Sequence, residues 1–199
     1  VVEGLGAGWQ EREHQAYGFE LLETAQRFTR YEEELKVISQ LFESEQPVDF
    51  EGKYFQLRQA VLKPRPLRPG SPPILIGGNG EQRTLSLAAR YASEWNAIYL
   101  SPQEFTRLSR LFDQLLMVEK RQPEKVIRSI MTGCVYGQDK PAVEKKVAQR
   151  TQGKRTVEDL RQSGLLVGAA EEIGWQVQNL EEAGVQRLMI QWLDLDDMH

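Results

Sequence analysis

The sequence has little that would tie it to a metal site, a disulfide framework or a membrane. It contains one cysteine, Cys134, and two histidines in 199 residues. A single cysteine allows no internal disulfide, and so few soft ligands do not favour a metal cage. This cysteine usage fits a reducing cytoplasm, which is the predicted location. The apolar runs are only a few residues long, which excludes a membrane-spanning helix.

The charge pattern excludes a second group of functions. The formal net charge is −4, and no basic stripe with interleaved aromatic residues is present, so the sequence does not favour nucleic-acid binding. Hydrophobic residues make up 40% of the chain and charged residues 27%, as in an ordinary globular protein. The length predicts a single domain that covers residues 1–199.

Strand-like and helix-like segments alternate along the chain, which is typical of the α/β class. The predicted strands are Val1–Leu5, Ile74–Ile76, Trp95–Leu100, Val126–Tyr136 and Leu188–Leu193. The predicted helices are Glu20–Phe42, Glu81–Tyr91, Pro102–Lys120, Pro141–Thr151, Val157–Gln162 and Ala169–Ala183. In addition, residues 48–57 alternate around Gly52 and predict a hairpin, and the five prolines of residues 63–73 predict an extended connection.

Strands separated by helices imply a parallel sheet, either doubly wound or part of a (β/α)₈ barrel. A full barrel takes about 250 residues, so five such units would leave roughly three absent. The chain begins at Val1 inside an apolar segment, which predicts an N-terminally truncated fragment. An open parallel sheet leaves unpaired edges, so we expect the fragment to pair with another chain, as a homo-oligomer, or to rearrange.

Two glycine-rich loops are the candidate ligand sites. Residues 4–9, GLGAGW, fail the dinucleotide fingerprint because its third glycine would fall on Trp9, so this loop is either a tight strand exit or a cofactor contact. Residues 76–80, IGGNG, stand between a strand and a helix. There, glycines would let a phosphate approach the backbone and the helix N-terminus, although a plain turn has the same composition.

The other candidates are weaker. His14 is a minor candidate for proton transfer, since an exposed histidine near a helix start is more often solvated. Glu11 and Glu13 are expected in the first turn of that helix, where they favour the dipole. Cys134 is expected in the core. The same expectation covers three tryptophans, Trp95, Trp175 and Trp192, although Trp95 and Trp192 also stand at strand ends, where a barrel would place its site.

The ordered set of motifs resembles the luciferase-like monooxygenase superfamily, and in particular its branch of coenzyme F420-dependent oxidoreductases. The motifs are GLGAGW at 4–9, E-H-x-x-Y-G at 13–18, RYEEELKVI at 30–38, FEGKYF at 50–55, PPILIGGNG at 72–80, LAARYASEWN at 87–96 and EEAGVQRLMIQW at 181–192. Each motif is modest alone, but their order matches over nearly the whole chain.

The resemblance implies a luciferase-like (β/α)₈ TIM barrel, present here as about strands 4 to 8, with ligands at the carboxyl ends of the strands. It places Gly77, Gly78, Asn79 and Gly80 at the ribityl–phosphate portion of the coenzyme. Beside its ring the resemblance places Gly6, Ala7, Gly8 and Trp9, with Asn96 and Ala97 at the neighbouring strand end.

The implied activity is hydride transfer by coenzyme F420 to or from a small organic substrate, with the ring carrying the chemistry. The alternatives are an FMN-dependent monooxygenase of the same superfamily, or a cofactor-binding or structural remnant without activity. Trp9 stands where the sugar-phosphate dehydrogenases of this superfamily carry an acidic residue, which argues against that substrate. Ser93 stands where members of the superfamily usually carry an Asp.

Overall fold

The computed structural model describes residues 2–67 and 71–192. Its strands are β1 (Glu3–Leu5), β2 (Val48–Glu51), β3 (Gln56–Ala60), β4 (Ile74–Gly77), β5 (Glu94–Ile98), β6 (Ile127–Tyr136), β7 (Leu166–Gly168) and β8 (Arg187–Gln191). Its helices are α1 (Glu11–Tyr17), α2 (Thr24–Glu43), α3 (Thr84–Tyr91), α4 (Pro102–Val118), α5 (Lys140–Thr151), α6 (Val157–Gln162) and α7 (Ala170–Glu182). A 3₁₀ turn covers Pro123–Lys125.

Six of the strands form one parallel sheet. β1 pairs with β4, β4 with β5 and β5 with β6, and both β7 and β8 pair with β6. The two partners use different parts of this long strand: β8 lies along residues 129–133, and β7 lies along residues 134–136. β2 and β3 form a separate antiparallel hairpin. The predicted parallel sheet and the predicted hairpin are therefore confirmed.

The structure adds elements that the sequence prediction lacks. β7 has only three residues and follows a polar passage, so it shows too short a pattern to be predicted as a strand. It raises the number of parallel strands from the predicted five to six. α1 is a complete two-turn helix, with Glu11 and Glu13 in its first turn as expected. The outer ends of two predicted strands, Val1 and Leu193, lie outside the described residues.

The main core lies between the sheet and the helices on one of its faces. Trp95 on β5 is fully buried and stacks on Phe105 of α4 with ring centroids 5.5 Å apart. Phe112, two turns further along α4, approaches the same indole to 5.3 Å. Cys134 is also buried in this cluster, as expected, and burial raises the pKa of its thiol.

Helix α4, which carries these two phenylalanines, has a capped start. The Ser101 hydroxyl accepts from the Glu104 N–H, and Pro102 stands in the first turn of the helix.

Two tryptophans do not lie in the core, and the prediction for them is wrong. Trp175 is 65% exposed and Trp192 is 38% exposed. On α7 the core-facing residues include Ile173 and Val177, and Trp175 stands two residues from each. Successive helical residues are about 100° apart, so a residue two positions away faces roughly the opposite side. Trp192 follows β8, which has a strand partner on one side only among the described residues.

A second, smaller core belongs to the carboxyl end of β6. It consists of five buried side chains from β6, α5, α6 and β7: Val135, Val143, Val147, Leu160 and Val167. Gly137 brings the chain close to α5, since a Cβ there would lie 2.7 Å from the Val143 nitrogen. This unit therefore packs beyond the point where β5 ends. In the described part of the chain, no helix has both the length and the apolar character that crossing a bilayer requires.

Candidate functional site

The sheet register brings the two glycine loops side by side. Leu5 lies opposite Ile76 where β1 pairs with β4, so Gly6 and Gly77 leave neighbouring strands at the same level. Gly77 in turn lies opposite Asn96 of β5. Adjacent strands are separated by about 4.8 Å, so these three residues form a short row at the carboxyl edge of the sheet. Members of both predicted loops are thus brought together with Asn96.

At Gly6 and Gly77 the row leaves backbone facing open space. A Cβ added to Gly6 would meet no atom within 4 Å, and one added to Gly77 would meet only the Asn96 carbonyl oxygen, at 3.9 Å. Neither glycine has a positive φ, so their backbone conformation does not itself demand glycine. What the missing side chains leave is room at two adjacent strand ends. A flat ligand could lie against the backbone there, which is the fit that a ring cofactor requires.

Gly78 shapes the turn and has little hydrogen-bonding capacity left for a ligand. Its N–H donates to the Asn96 carbonyl at 2.9 Å, and its carbonyl accepts from Trp95 Nε1 at 2.9 Å. Its φ is +124°, a conformation open to glycine and rarely to other residues. Thr84, at the start of α3, sits beneath the turn, 2.9 Å from where a Cβ on Gly80 would stand. The turn is therefore folded tightly onto the helix.

The side chain of Asn79 braces the neighbouring strand. Its Nδ2 donates to the Ile98 carbonyl at 2.7 Å, and its Oδ1 accepts from the Ile98 N–H at 2.9 Å. Both ends of the amide are therefore used within the protein. The resemblance predicts Asn79 at the phosphate portion of the coenzyme, and in the structure its amide joins the glycine turn to the end of β5.

Asn96 and Ala97 lie on opposite faces of β5. The Asn96 amide donates to Ser129 Oγ at 2.8 Å and contacts Met189 Sδ at 3.6 Å, on the face away from α4. We call this surface the inner face. Ala97 is fully buried in the helix-side core. Ser129 was not predicted from the sequence. The signal that could have identified it is the alternation of side chains along β6, which puts every second residue on the inner face.

Gly8 is held between two side chains of the following helices. Its φ is +73°, and a Cβ there would lie 3.3 Å from His14 Cε1. Arg27 of α2 donates to its carbonyl oxygen. His14 lies in the last turn of α1, is half-buried, and its Nδ1 is 2.9 Å from the Gln10 carbonyl. The expected exposed histidine at a helix start is thus instead packed over Gly8. Trp9 is 77% exposed.

A cavity of about 330 Å³ adjoins this loop. Its walls include Gly6, Ala7, Gly8 and His14 together with the charged side chains of Arg30 and Glu34 on α2. Desolvation raises the pKa of the Glu34 carboxyl, opposed by the nearby Arg30 guanidinium. No residue of 77–80 lines this cavity, so it shares Gly6 with the open row but does not extend to Gly77. Within residues 2–67 and 71–192, no three His, Cys, Asp or Glu side chains are grouped as metal ligands.

Comparison with known sequences agrees with the motifs. A family model described as luciferase-like monooxygenase matches residues 1–153. An F420-dependent glucose-6-phosphate dehydrogenase of Kineococcus radiotolerans is 38% identical over 80 residues. That match covers 40% of this chain and 23% of the dehydrogenase. The matched part is thus under a quarter of that relative's length.

Solved structures share the fold. An F420-dependent secondary alcohol dehydrogenase, in complex with an F420–acetone adduct, has a TM-score of 0.81 at 22% identity over 96% of this chain. The oxygenating constituent of a 3,6-diketocamphane monooxygenase from Pseudomonas putida, in complex with FMN, has a TM-score of 0.73 at 16% identity over 99%. The chain spans 64% and 66% of these two proteins respectively. The predicted partial barrel is confirmed, and the chain belongs to the luciferase-like monooxygenase family.

Proposed function

We propose that the chain carries part of the cofactor site of a two-electron oxidoreductase, with coenzyme F420 as the cofactor and a small organic molecule as the substrate. The family consists of luciferase-like oxidoreductases and monooxygenases, and both the curated relative and one structural relative are named as F420-dependent. The observation that supports the proposal most directly is the open backbone at Gly6 and Gly77 on adjacent strand ends.

The residues of this chain would hold and orient the cofactor. The backbone of Gly6 and Gly77 would offer a flat surface for the ring, with Asn96 at the neighbouring strand end, and the turn at 77–80 would offer glycine backbone to the phosphate side. The deazaflavin, when bound, supplies hydride transfer, so the protein has to provide position and exclusion of water. The remaining proposed contacts are Ala7, Gly8 and Trp9 beside the ring, Gly78, Asn79 and Gly80 at the phosphate, Ala97 through its backbone, and His14 as a minor proton-transfer candidate.

The neighbourhood of Asn79 and Gly78 sharpens this assignment. Their own hydrogen bonds are directed at Ile98, Asn96 and Trp95, and these bonds fix the turn that would meet the phosphate side. Among the proposed contact residues, Gly6 and Gly77 are the glycines with the most room for the ring. The cytoplasmic location and a homo-oligomeric state remain predictions of the same proposal.

FMN is the second candidate cofactor, since some structural relatives are monooxygenases, including one in complex with FMN. Titration of the protein with each cofactor compares the two affinities. Absorbance identifies the bound cofactor, because a deazaflavin absorbs at shorter wavelength than an oxidised flavin. Tighter binding of coenzyme F420 supports the proposal, and tighter binding of FMN supports the monooxygenase alternative. A protein that binds neither would fit the structural remnant and would contradict both.

The decisive variants are Gly77→Val and Gly6→Val. Both positions have room for a side chain, so we expect the protein to fold and the cofactor dissociation constant to rise at least about tenfold, the equivalent of about 1.4 kcal/mol. Gly174→Ala on α7 is the matched control, because a Cβ there meets nothing within 4 Å and the site is elsewhere. Unchanged affinity in both valine variants, with folding intact, would remove the basis of the proposal.

A further inference from the structure

Tyr99 has an unusual backbone at the carboxyl end of β5. Its φ is +51°, in the left-handed region that residues with a side chain seldom adopt. Its N–H still donates to the Met131 carbonyl of β6, at 3.0 Å, so the strand pairing runs up to this residue. A conformation of this kind is strained and persists where the surroundings enforce it.

The surroundings of Tyr99 do enforce it from two sides. The Asn79 amide fixes both backbone groups of Ile98, the residue before it. On the other side Gly164, just before β7, packs so closely that a Cβ there would lie 2.5 Å from the Tyr99 carbonyl carbon. Gly164 is itself tied to β6, because its carbonyl accepts from Thr132 Oγ1.

This backbone sends the phenol across the sheet. The Tyr99 hydroxyl lies 3.4 Å from where a Cβ on Gly133 of β6 would stand, and it donates to Gln191 Oε1 of β8 at 2.8 Å. Gly133 and Gln191 are partners in the register of β6 with β8. The side chain therefore begins just after β5, passes close over Gly133 of β6, and ends at β8.

The pair lies on the inner face, the face that carries Asn96. Met189 contacts the Asn96 amide, and Gln191 is two residues further along the same strand, so both side chains point to one side. Gln191 Nε2 has no hydrogen-bond partner within residues 2–67 and 71–192, and the Tyr99 oxygen can accept a further bond. The pair thus presents one donor group and one acceptor, both uncharged, at the carboxyl edge of the sheet.

We propose that Tyr99 and Gln191 form a substrate-orienting pair for an uncharged oxygen, the carbonyl of a ketone or the hydroxyl of a secondary alcohol. In this arrangement Gln191 Nε2 donates to the substrate oxygen while Tyr99 holds the amide in place. This inference rests on the proposed function, because it assigns the substrate class of that same site. Neither group carries a charge to pair with a carboxylate or a phosphate, which directs the site toward neutral substrates.

Gln191→Glu and Gln191→Leu test the assignment in the cofactor-loaded protein, with acetone and propan-2-ol as probes. The glutamate keeps an acceptor for the Tyr99 hydroxyl and loses the donor, whereas the leucine loses both. If Gln191 only braces Tyr99, the glutamate variant behaves as the wild type. If it donates to substrate, both variants raise KM by about three- to tenfold, the loss of one neutral hydrogen bond. Gln149→Glu, the same chemical change on an exposed part of α5, is the control.

A second measurement does not depend on turnover. Side-chain amide resonances of ¹⁵N-labelled glutamine report ligand contact directly, and the Gln191 signal is identified by its loss in Gln191→Leu. We expect acetone to shift that signal and to leave the Gln149 signal in place. An unshifted Gln191 signal, together with a wild-type KM in Gln191→Glu, overturns the inference. Cofactor titration of the wild type and of the same variants separates failure of this inference from failure of the proposed function. A wild type that does not bind the cofactor contradicts the proposed function itself.

Discussion

The side-chain amide of Asn79 takes the place of a strand partner for Ile98, with one hydrogen bond of 2.7 Å to its carbonyl and one of 2.9 Å from its N–H. Asn79→Ala removes both bonds, and each is worth about 0.5–1.5 kcal/mol. We therefore expect the variant to lose about 1–3 kcal/mol of unfolding free energy, measured by urea denaturation.

Asn79→Asp separates the two bonds. A carboxylate still accepts from the Ile98 N–H but has no donor for the Ile98 carbonyl, so its stability is expected to fall between those of the alanine variant and the wild type. A variant with unchanged stability and weakened cofactor binding would instead show that the amide serves the ligand, as the sequence motif first suggested.

This contact illustrates what the sequence predicted and what it did not. The motif IGGNG correctly indicated a strand, a glycine turn and a helix, because glycine and period-2 or period-3.6 patterns are local properties of the chain. The partner of Asn79 is Ile98, which is 19 residues away. A hydrogen bond of that kind depends on the register between strands, and no local pattern encodes it.

The same reason explains the other misses at the site. Ser129 lies in β6, Gln191 ends β8 and Tyr99 directly follows β5, so only the pairing of these three strands brings them together. Trp175 was misplaced because hydrophobicity alone suggested burial, whereas its angular position on α7 turns it outward. Local signals therefore predicted the elements and the glycine loops, and the long-range pairing decided which side chains meet.

Gly164 provides a test of the packing against Tyr99. Gly164→Ala places a Cβ 2.5 Å from the Tyr99 carbonyl carbon at a φ of +82°. Strain and clash together are expected to cost about 2–5 kcal/mol. Gly153→Ala is the matched comparison, since its φ is +70° but no atom lies within 4 Å of the new Cβ. It should lose only about 1–2 kcal/mol. Equal losses, by thermal or urea unfolding, would mean that the close approach is not enforced.

Glu33 ties the β2–β3 hairpin to α2 and makes this attachment sensitive to acid. Its carboxylate accepts from the backbone N–H groups of Lys53, Tyr54 and Phe55, at 2.9, 2.8 and 3.2 Å. Desolvation acts to raise the pKa of Glu33, but these donors outweigh it and the net pKa is lowered. The carboxylate form is therefore the stabilising one.

A lowered folded-state pKa gives stability that is present above the unfolded pKa of about 4.3 and is lost as the pH falls through the folded value. Glu33→Gln removes this titration. We expect the stability difference between wild type and variant to be largest above about pH 5 and to shrink as the pH falls below 4. Urea unfolding at a series of pH values measures it, and a difference that stays constant with pH would assign the hairpin attachment to another group.

Glu94 is the most deeply buried charge on the inner face, at 2% exposure. Arg187 of β8 donates to its Oε2, while Oε1 has no partner in the described residues. Arg187→Met leaves the carboxylate buried without a counter-charge. Because the Arg187 side chain is 44% exposed, water compensates in part, and the expected loss is about 2–4 kcal/mol, at the lower end for a broken buried pair.

The double variant Glu94→Leu with Arg187→Met removes both charges together. A buried ion pair replaced by apolar residues is often neutral or better in stability, so the double variant is expected to recover most of what Arg187→Met loses. The double-mutant cycle, measured by urea unfolding, then yields a coupling energy of about 1–3 kcal/mol. Additive losses, with the double variant less stable than either single one, would show that the two side chains act independently and that Glu94 is satisfied by another group.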